Sequence, residues 1–382
     1  MTRPEVLLDV FAALYPAGGI GRYVRDLMEA LASRPDSPPV GFAYPRHLTG
    51  AEPPAYPAER LRPLPFGARR MRALFLASAR LGVRPDAWYG RPAVFHSPVG
   101  HGPLFGKARL LLTIHDLTFL SHPEWHPFRT RFLLRHTVPA AVRHADRVLC
   151  DSEHVRGQVI RELGADPARV ETVPLAVDPG FRPLPREAAA AHVADRFGLD
   201  GEFVLHVGTV EPRKNHVGLV AAFERLRRAG FMGRLVLVGH DGWHVEPILA
   251  RLASSSDAVA LVRVRDGDDE DLAALYNACT MFVFPSLDEG FGLPLLEAMA
   301  CGAACLTSDR SSLLEVAAGG AALVDPGDVD ALATAMIALW RDPDHRAALG
   351  AAGVARAAAF GRDRWVERMF EVYRALLAAG PR

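Results

Sequence analysis

The side chains best suited to bind a phosphorylated ligand follow one predicted strand in the second half of the chain. The segment 208–215 comes directly after the apolar run 203–207 and contains Arg213 and Lys214. A guanidinium can bind a diphosphate bidentately, and an ammonium can bind it as a point charge. Only two of the 44 basic residues are lysines, so a lysine in this loop favours a binding role over a solvated surface. The loop therefore predicts an anion-binding site.

A second predicted loop combines glycines with two carboxylates. The glycine-containing segment 290–292 precedes a predicted helix with Pro294 in its first turn. Backbone amides in such a loop can face an anionic ligand. Glu289 and Glu297, eight residues apart, can accept hydrogen bonds from sugar hydroxyls. A solvated Glu289 and a Glu297 that only stabilises the helix dipole are the alternative, which leaves the glycines unexplained.

Two loops in the first half of the chain are less specific. Gly18 and Gly19 precede a predicted helix, where glycine amides either approach a phosphate or form a tight turn. His115 and Asp116 follow the apolar run 110–114 and are either a structural pair or part of a ligand site. The sequence has neither a G-x-S-x-G motif nor an H-E-x-x-H motif. We therefore expect neither a hydrolytic dyad nor a metal centre.

The elements that position these loops are short apolar strands alternating with helices. Such runs are typical of parallel sheets covered by helices, whose ligand sites lie beyond the carboxyl ends of the strands. The pattern occurs before and after a proline-rich segment at 174–185 that cannot hold a regular element. We predict an α/β protein with two doubly wound, Rossmann-like domains that face a cleft. The predicted strands lie at 6–10, 93–96, 110–114, 147–150, 203–207, 235–238, 259–264, 281–284 and 305–307.

Composition and charge narrow the class of protein. A chain of 382 residues that is 49% hydrophobic predicts about two domains of roughly 150 residues each and excludes a disordered protein. Its four cysteines lack paired spacing, and no apolar run reaches 18 residues, which favours a cytoplasmic protein without a membrane span. Residues 1–180 carry 23 Lys or Arg and 17 Asp or Glu, against 21 and 27 in the remainder. The resulting charges of +6 and −6 favour an anionic or membrane-proximal ligand over a nucleic acid.

One segment concentrates the positive charge. Residues 60–85 contain seven arginines and no acid, interleaved with apolar side chains. We expect a basic amphipathic helix here. It either contacts an anionic membrane surface or forms a solvated rim that attracts an anionic donor or acceptor.

Together these motifs resemble those of the family 4 retaining glycosyltransferases, especially the mannosyltransferase-like members. The resemblance covers about residues 5–375. Its most specific part is the segment 207–215, which contains Arg213 and Lys214, together with the block 289–297, which begins and ends with a glutamate. It implies the GT-B fold, with an acceptor-side domain at 1–176, a nucleotide-sugar domain with its linker at 177–361, and a final segment at 362–382 that crosses back to the first domain. The motifs that carry it lie at 18–23, 114–117, 151–152, 173–178, 207–215 and 289–297.

The resemblance implies transfer of a hexose, with retained anomeric configuration, from a nucleotide diphosphate sugar. Arg213 and Lys214 would hold the diphosphate, Glu297 the ribose hydroxyls and Glu289 the donor sugar. His115 would line the reaction centre, so that His115, Glu289, Arg213 and Lys214 form the predicted catalytic set. The backbone would complete the donor site at Gly18, Gly19, Gly290, Phe291, Gly292 and Leu293.

The same resemblance bears on donor, acceptor and cofactor. GDP-mannose is the favoured donor, and the acceptor is a glycan, a lipid-linked molecule or a small molecule. No metal or other cofactor is expected, because Arg213 and Lys214 supply the positive charge and the acidic stretch 266–271 is better suited to capping a helix. The enzyme would act in the cytoplasm, either free or in peripheral contact with the inner face of the membrane, and without a nucleic-acid partner.

Alternative functions remain within the same fold. They are a sugar-nucleotide epimerase, a phosphorylase-like enzyme and a non-catalytic scaffold. A scaffold would be expected to lack the charged donor residues, which are all present. The motif at 173–178 departs from the family pattern at Leu175 and Ala176, where Asn-Gly or Leu-Gly is more usual.

Overall fold

The computed structural model describes residues 5–14, 19–46 and 59–382. Its contacts divide the chain into two units. The first comprises the described residues up to Leu175 together with Asp363–Arg382, and the second is Ala176–Arg362. The chain therefore passes between the units twice.

The first unit is built on a seven-stranded sheet in which all strands are parallel. The strand order is β3-β2-β1-β4-β5-β6-β7. The strand order reverses between β1 and β4, so the topological switch point lies at the carboxyl ends of these two central strands. The strands are β1 (Val6–Asp9), β2 (Val40–Pro45), β3 (Leu61–Leu64), β4 (Val94–Ser97), β5 (Arg109–Ile114), β6 (Arg147–Cys150) and β7 (Val170–Thr172).

The second unit repeats the design with six parallel strands. The strand order β10-β9-β8-β11-β12-β13 places its switch point between β8 and β11. The prediction of two doubly wound, Rossmann-like domains is confirmed. The strands are β8 (Phe203–Val207), β9 (Arg234–Val238), β10 (Leu261–Val264), β11 (Met281–Phe284), β12 (Cys305–Ser308) and β13 (Ala322–Val324).

Four strands, β2, β3, β7 and β13, are absent from the predicted set. Three of them lie at sheet edges, where a strand need not be apolar throughout because one side is not covered by a neighbour. Strand β3 illustrates this, since it contains Arg62 and Pro63. The expectation of one basic helix over 60–85 is therefore wrong at its start, where β3 precedes the helix.

Helices connect the strands and cover the sheets. Several ends follow the rules of capping, and the expected cap at 266–271 is present: Asp268 and Asp271 form a reciprocal capping box. No helix among residues 5–14, 19–46 and 59–382 combines the length and apolar character that spanning a bilayer requires. The helices are α1 (Gly19–Ser33), α2 (Ala68–Leu81), α3 (Thr118–Ser121), α4 (Phe128–His144), α5 (Glu153–Leu163), α6 (Arg186–Phe197), α7 (His216–Arg228), α8 (Glu246–Ala253), α9 (Asp269–Ala278), α10 (Leu293–Ala300), α11 (Ser311–Ala317), α12 (Val329–Arg341), α13 (Pro343–Ala357) and α14 (Arg362–Ala378).

Helix α14 belongs to the first unit although it ends the chain. Trp365, Met369 and Tyr373 are buried on one face of it at helical spacing. The residues after the helix are also held, since the Arg109 side chain donates a hydrogen bond of 2.7 Å to the Gly380 carbonyl. The last segment is thus an integral part of the first unit.

Candidate active site

The second unit brings Arg213, Lys214 and Glu289 into direct contact. The ammonium of Lys214 donates to Oε1 of Glu289 at 2.5 Å, and a guanidinium nitrogen of Arg213 donates to Oε2 of the same carboxylate. Arg213 also forms a 2.8 Å ion pair with Glu211. The loops meet because β8 and β11 are hydrogen-bonded neighbours, so that the segments following them emerge side by side at the switch point.

This cluster is almost completely withdrawn from water. Glu289 is 5% exposed and Lys214 is 7% exposed. Burial on its own would raise the pKa of Glu289, but the charges of Arg213 and Lys214 outweigh it and lower that pKa to about 2. Burial also lowers the pKa of the Lys214 ammonium, against the opposing attraction of Glu289. At neutral pH the site therefore holds an ionised carboxylate between two basic side chains.

Hydrogen bonds and close packing fix the backbone of the segment 208–215. A turn of 3-10 helix over Pro212–Lys214 ends at Asn215, whose left-handed conformation (φ 56°) lets its side chain cap α7. The Leu287 amide donates to the Arg213 carbonyl at 2.8 Å and joins the two loops. Gly239 has φ +143°, and a Cβ there would lie 2.2 Å from the Gly208 carbonyl oxygen. Only glycine permits this approach of two strand-end loops.

The loop before α10 has unsatisfied donors. In the described part of the chain, the amides of Phe291, Gly292 and Leu293 meet no hydrogen-bond acceptor. Phe291 and Gly292 are buried, and buried amides without partners are uncommon in native proteins. Gly292 adopts φ +106° as the N-cap of α10, which turns the chain into the helix. Of the three amides predicted to face an anion, those of Phe291 and Gly292 meet no acceptor among the described residues.

Glu297, the second predicted carboxylate, is positioned by a tyrosine. It sits in the second turn of α10, is buried, and accepts a hydrogen bond of 3.0 Å from the Tyr276 hydroxyl. Tyr276 was not among the predicted site residues. A tyrosine among the alanines and leucines in the second half of α9 gives no signal in sequence that its hydroxyl contacts a carboxylate.

In the first unit, three strand ends converge on His115. Its Nδ1 donates to Asp151 at 2.6 Å and its Nε2 donates to the Pro98 carbonyl at 2.8 Å. Burial would lower the pKa of His115, but the charge of Asp151 and these hydrogen bonds outweigh it and raise that pKa. Asp116 instead accepts from the amide and hydroxyl of Thr118. The sequence neighbours His115 and Asp116 are therefore not a pair, and the partner of His115 is 36 residues away.

A buried polar chain connects α14 to the surroundings of His115. The Tyr373 hydroxyl contacts Nδ1 of His96 at 2.7 Å, and Nε2 of His96 contacts the Thr113 hydroxyl at 2.9 Å. Thr113 also shares a 3.1 Å hydrogen bond with the hydroxyl of Tyr23, whose ring packs edge-on against His115. Burial lowers the pKa of His96 to about 3, so its ring stays neutral. Sequence reasoning did not identify this chain, because its members are scattered over four elements.

The remaining predicted residues are placed as follows. Gly19 begins α1, and a Cβ there would meet nothing within 4 Å. Gly18 lies outside the described residues. Within the described ranges, no three or more His, Cys, Asp or Glu side chains are grouped so that they could hold a metal ion.

Two family models together match most of the chain. The model described as Glycosyltransferase Family 4 matches residues 17–181, and the model described as Glycosyl transferases group 1 matches residues 191–356. The chain is also 30% identical over 376 residues to the O-antigen chain mannosyltransferase B of Escherichia coli. That alignment covers 95% of this chain and 97% of the relative.

Solved structures agree with the observed architecture. Sucrose-phosphate synthase from Thermosynechococcus elongatus matches with a TM-score of 0.79 at 24% identity, over 99% of this chain and all of the other. HepE from Anabaena, in its complex with UDP-glucose, matches with a TM-score of 0.74 at 16% identity, over 97% of this chain and 99% of the other. These similarities establish the GT-B fold for the two units. The chain belongs to glycosyltransferase family 4 and is a glycosyltransferase.

Proposed function

We propose that this enzyme transfers mannose from GDP-mannose to an acceptor hydroxyl with retention of the anomeric configuration. The observation that carries the proposal is the buried cluster of Arg213, Lys214 and Glu289 at the switch point of the second unit. It presents two cations beside a carboxylate, and the unpaired amides of Phe291 and Gly292 belong to the same loop as Glu289. A nucleotide diphosphate sugar carries the matching groups, namely a diphosphate anion and hydroxyls.

The proposed reaction depends on charge at the leaving group. The bond between the anomeric carbon and the diphosphate oxygen breaks, and negative charge accumulates on the departing phosphate. Donors already aligned at that position stabilise the transition state more than the ground state. Glu289 holds both Arg213 and Lys214, and Glu211 also holds Arg213, which supports such a role for the two cations.

Retention follows if the acceptor attacks from the face that the nucleotide leaves. The acceptor oxygen bonds to the anomeric carbon, and its proton passes to the departing phosphate oxygen, so that atoms and charge balance. His115 is unsuited to take that proton, because both of its ring nitrogens donate to other acceptors. We assign it instead a positioning role, as a fixed side chain held by Asp151 and the Pro98 carbonyl.

We further propose that the reaction needs no divalent cation. The two side-chain cations and the free amides of the loop before α10 supply the positive potential that a metal ion provides elsewhere. Glu297, held by Tyr276, would accept hydrogen bonds from the ribose hydroxyls.

The choice of mannose is supported by the name of the E. coli relative, whose product is an O-antigen chain. By analogy, a glycan or lipid-linked acceptor in polysaccharide synthesis is favoured over a small molecule. We place the reaction in the cytoplasm, where the four buried, unpaired cysteines would remain reduced. HepE, which binds UDP-glucose, makes a UDP-sugar the main alternative donor.

The test is a panel of nucleotide sugars assayed with candidate acceptors, with and without EDTA, and with the product anomer determined by NMR. Arg213→Ala and Lys214→Ala should each lower kcat/KM by about 30- to 1,000-fold, the cost of losing one charged contact to the leaving group. Lys107→Ala, at the other lysine of the chain, is the matched control. An inverted product, loss of activity in EDTA, or full turnover by the two variants would each contradict the mechanism. Stabilisation by UDP and not by GDP would change the donor alone.

A further inference from the structure

The first two turns of α4 lack the burial expected of a helix in a folded unit. None of the residues 128–136 is buried, whereas the second half of α4 carries Val138, Ala141 and Val142 in the core. Phe128 is 70% exposed and Phe132 is 42% exposed. Two aromatic side chains one helical turn apart thus face water on the same side of the helix.

The surroundings of these rings are strongly cationic. Helix α4 packs against α2, and the two helices contain eight arginines and no acidic residue. In the part of the chain that the structure describes, none of these arginines forms an ion pair. Their charges are therefore not neutralised by neighbouring side chains. They are the arginines at positions 69, 70, 72, 80, 129, 131, 135 and 143.

Arginine and aromatic side chains alternate within one patch. The guanidinium of Arg80 lies 5.6 Å from the ring centre of Phe132 and bonds His136 at 2.8 Å, which joins α2 to α4. The guanidinium of Arg131 lies 5.6 Å from the ring centre of Phe128. A shallow depression of about 370 Å³ lies among these side chains of α4. We define the basic–aromatic patch as Arg80, Leu81, Phe128, Arg131, Phe132 and Arg135.

We propose that the basic–aromatic patch docks on an anionic lipid surface. Arginines interact with lipid phosphates while their stems and the phenylalanines enter the boundary with the acyl chains. Leu81, 80% exposed at the end of α2, adds a third apolar group. A soluble polyanion would use the guanidinium groups but would leave the exposed rings unused, so the combination favours a membrane. The proposal does not depend on the identity of the sugar donor.

The patch differs from the basic segment that the sequence suggested. Part of 60–85 is strand β3, and the exposed aromatic residues come from α4, some 50 positions later in the chain. Parallel strands bring the two helices together because each helix returns antiparallel to its strands on one face of the sheet.

The experiment is flotation of the full chain with vesicles of phosphatidylglycerol and phosphatidylcholine in equal parts, and with phosphatidylcholine alone, at low and high salt. We expect binding to the anionic vesicles only, weakened by salt. Arg131→Glu/Arg135→Glu should lower the partition coefficient by at least about 25-fold, since each cation near such a surface contributes about fivefold. Phe128→Ser/Phe132→Ser should lower it by at least about tenfold.

Two controls separate docking from folding and from catalysis. Arg228→Glu/Arg364→Glu makes the same change in net charge at exposed arginines of α7 and α14 and should float like the wild type. The melting temperature should be the same in all variants, and flotation needs no sugar donor, so failure of the donor proposal would not affect this test. Unchanged flotation of either patch variant overturns the proposal, as does a wild type that binds soluble dextran sulfate but not anionic vesicles.

Discussion

Replacing Glu289 by glutamine removes the negative charge that neutralises the buried Lys214 and the partly buried Arg213. The low pKa of Glu289, about 2 against an ordinary 4.5, corresponds to about 3 kcal/mol of stability at neutral pH. Breaking a buried pair by removing one partner costs a similar 3 to 5 kcal/mol, because the other charge stays buried. We expect Glu289→Gln to lower the free energy of unfolding of the ligand-free enzyme by about this amount.

The same substitution should make the enzyme more dependent on its ligand. With Glu289 neutral, a bound diphosphate becomes the nearest counter-charge for Arg213 and Lys214. Removing one negative charge near the diphosphate is worth about 2 kcal/mol at an effective dielectric constant of about 20, or roughly thirtyfold in Kd. GDP should therefore raise the melting temperature of Glu289→Gln more than that of the wild type, although transfer itself should be slower because the sugar loses a negatively charged hydrogen-bond acceptor.

Thermal unfolding at several GDP concentrations, with calorimetric Kd values, measures both effects. Glu187→Gln, at an exposed carboxylate of α6, is the control and should match the wild type. In the wild type, the contribution of Glu289 should be complete above pH 4.5 and should decline as the pH falls toward 2. A Glu289→Gln variant that melts like the wild type, or that gains less from GDP than the wild type does, would refute the electrostatic account.

Three further predictions test the loops. Gly19→Ala should leave the melting temperature unchanged, because its Cβ would enter open space, but should lower kcat/KM at least tenfold if a donor phosphate approaches this backbone; unchanged turnover would exclude that approach. Gly239→Ala should destabilise the second unit by about 2 to 5 kcal/mol, since its Cβ would lie 2.2 Å from the Gly208 carbonyl oxygen. Chemical denaturation measures this loss of stability, and a smaller loss would mean that the two loops rearrange to admit the Cβ. Asp151→Asn should bring the pKa of His115 from above to below its ordinary value of 6.5, because burial then dominates; NMR titration of the ring would show no such fall if Asp151 were not its partner.

Much of the fold and the identity of the donor cluster are present in local sequence. Central parallel strands are buried on both faces, so runs such as 235–238 and 281–284 are continuously apolar and can be recognised without a structure. The special backbone at Gly292 and the scarcity of lysine around Lys214 are likewise local signals. That Glu289 contacts Arg213 and Lys214 follows from the order of strands in the sheet, which local sequence does not give.

Only the tertiary structure decided which side chains from segments distant in sequence pair with each other. The sequence places Asp116 beside His115, but chain direction at the end of β5 turns Asp116 toward α3, and Asp151 from the next strand becomes the partner. The edge strands β3 and β7 carry polar residues because one of their sides is open, and so they give no continuous apolar run. The exposed rings of α4 look like core residues in sequence, since the same phenylalanine pattern is buried or exposed according to which neighbour covers the helix.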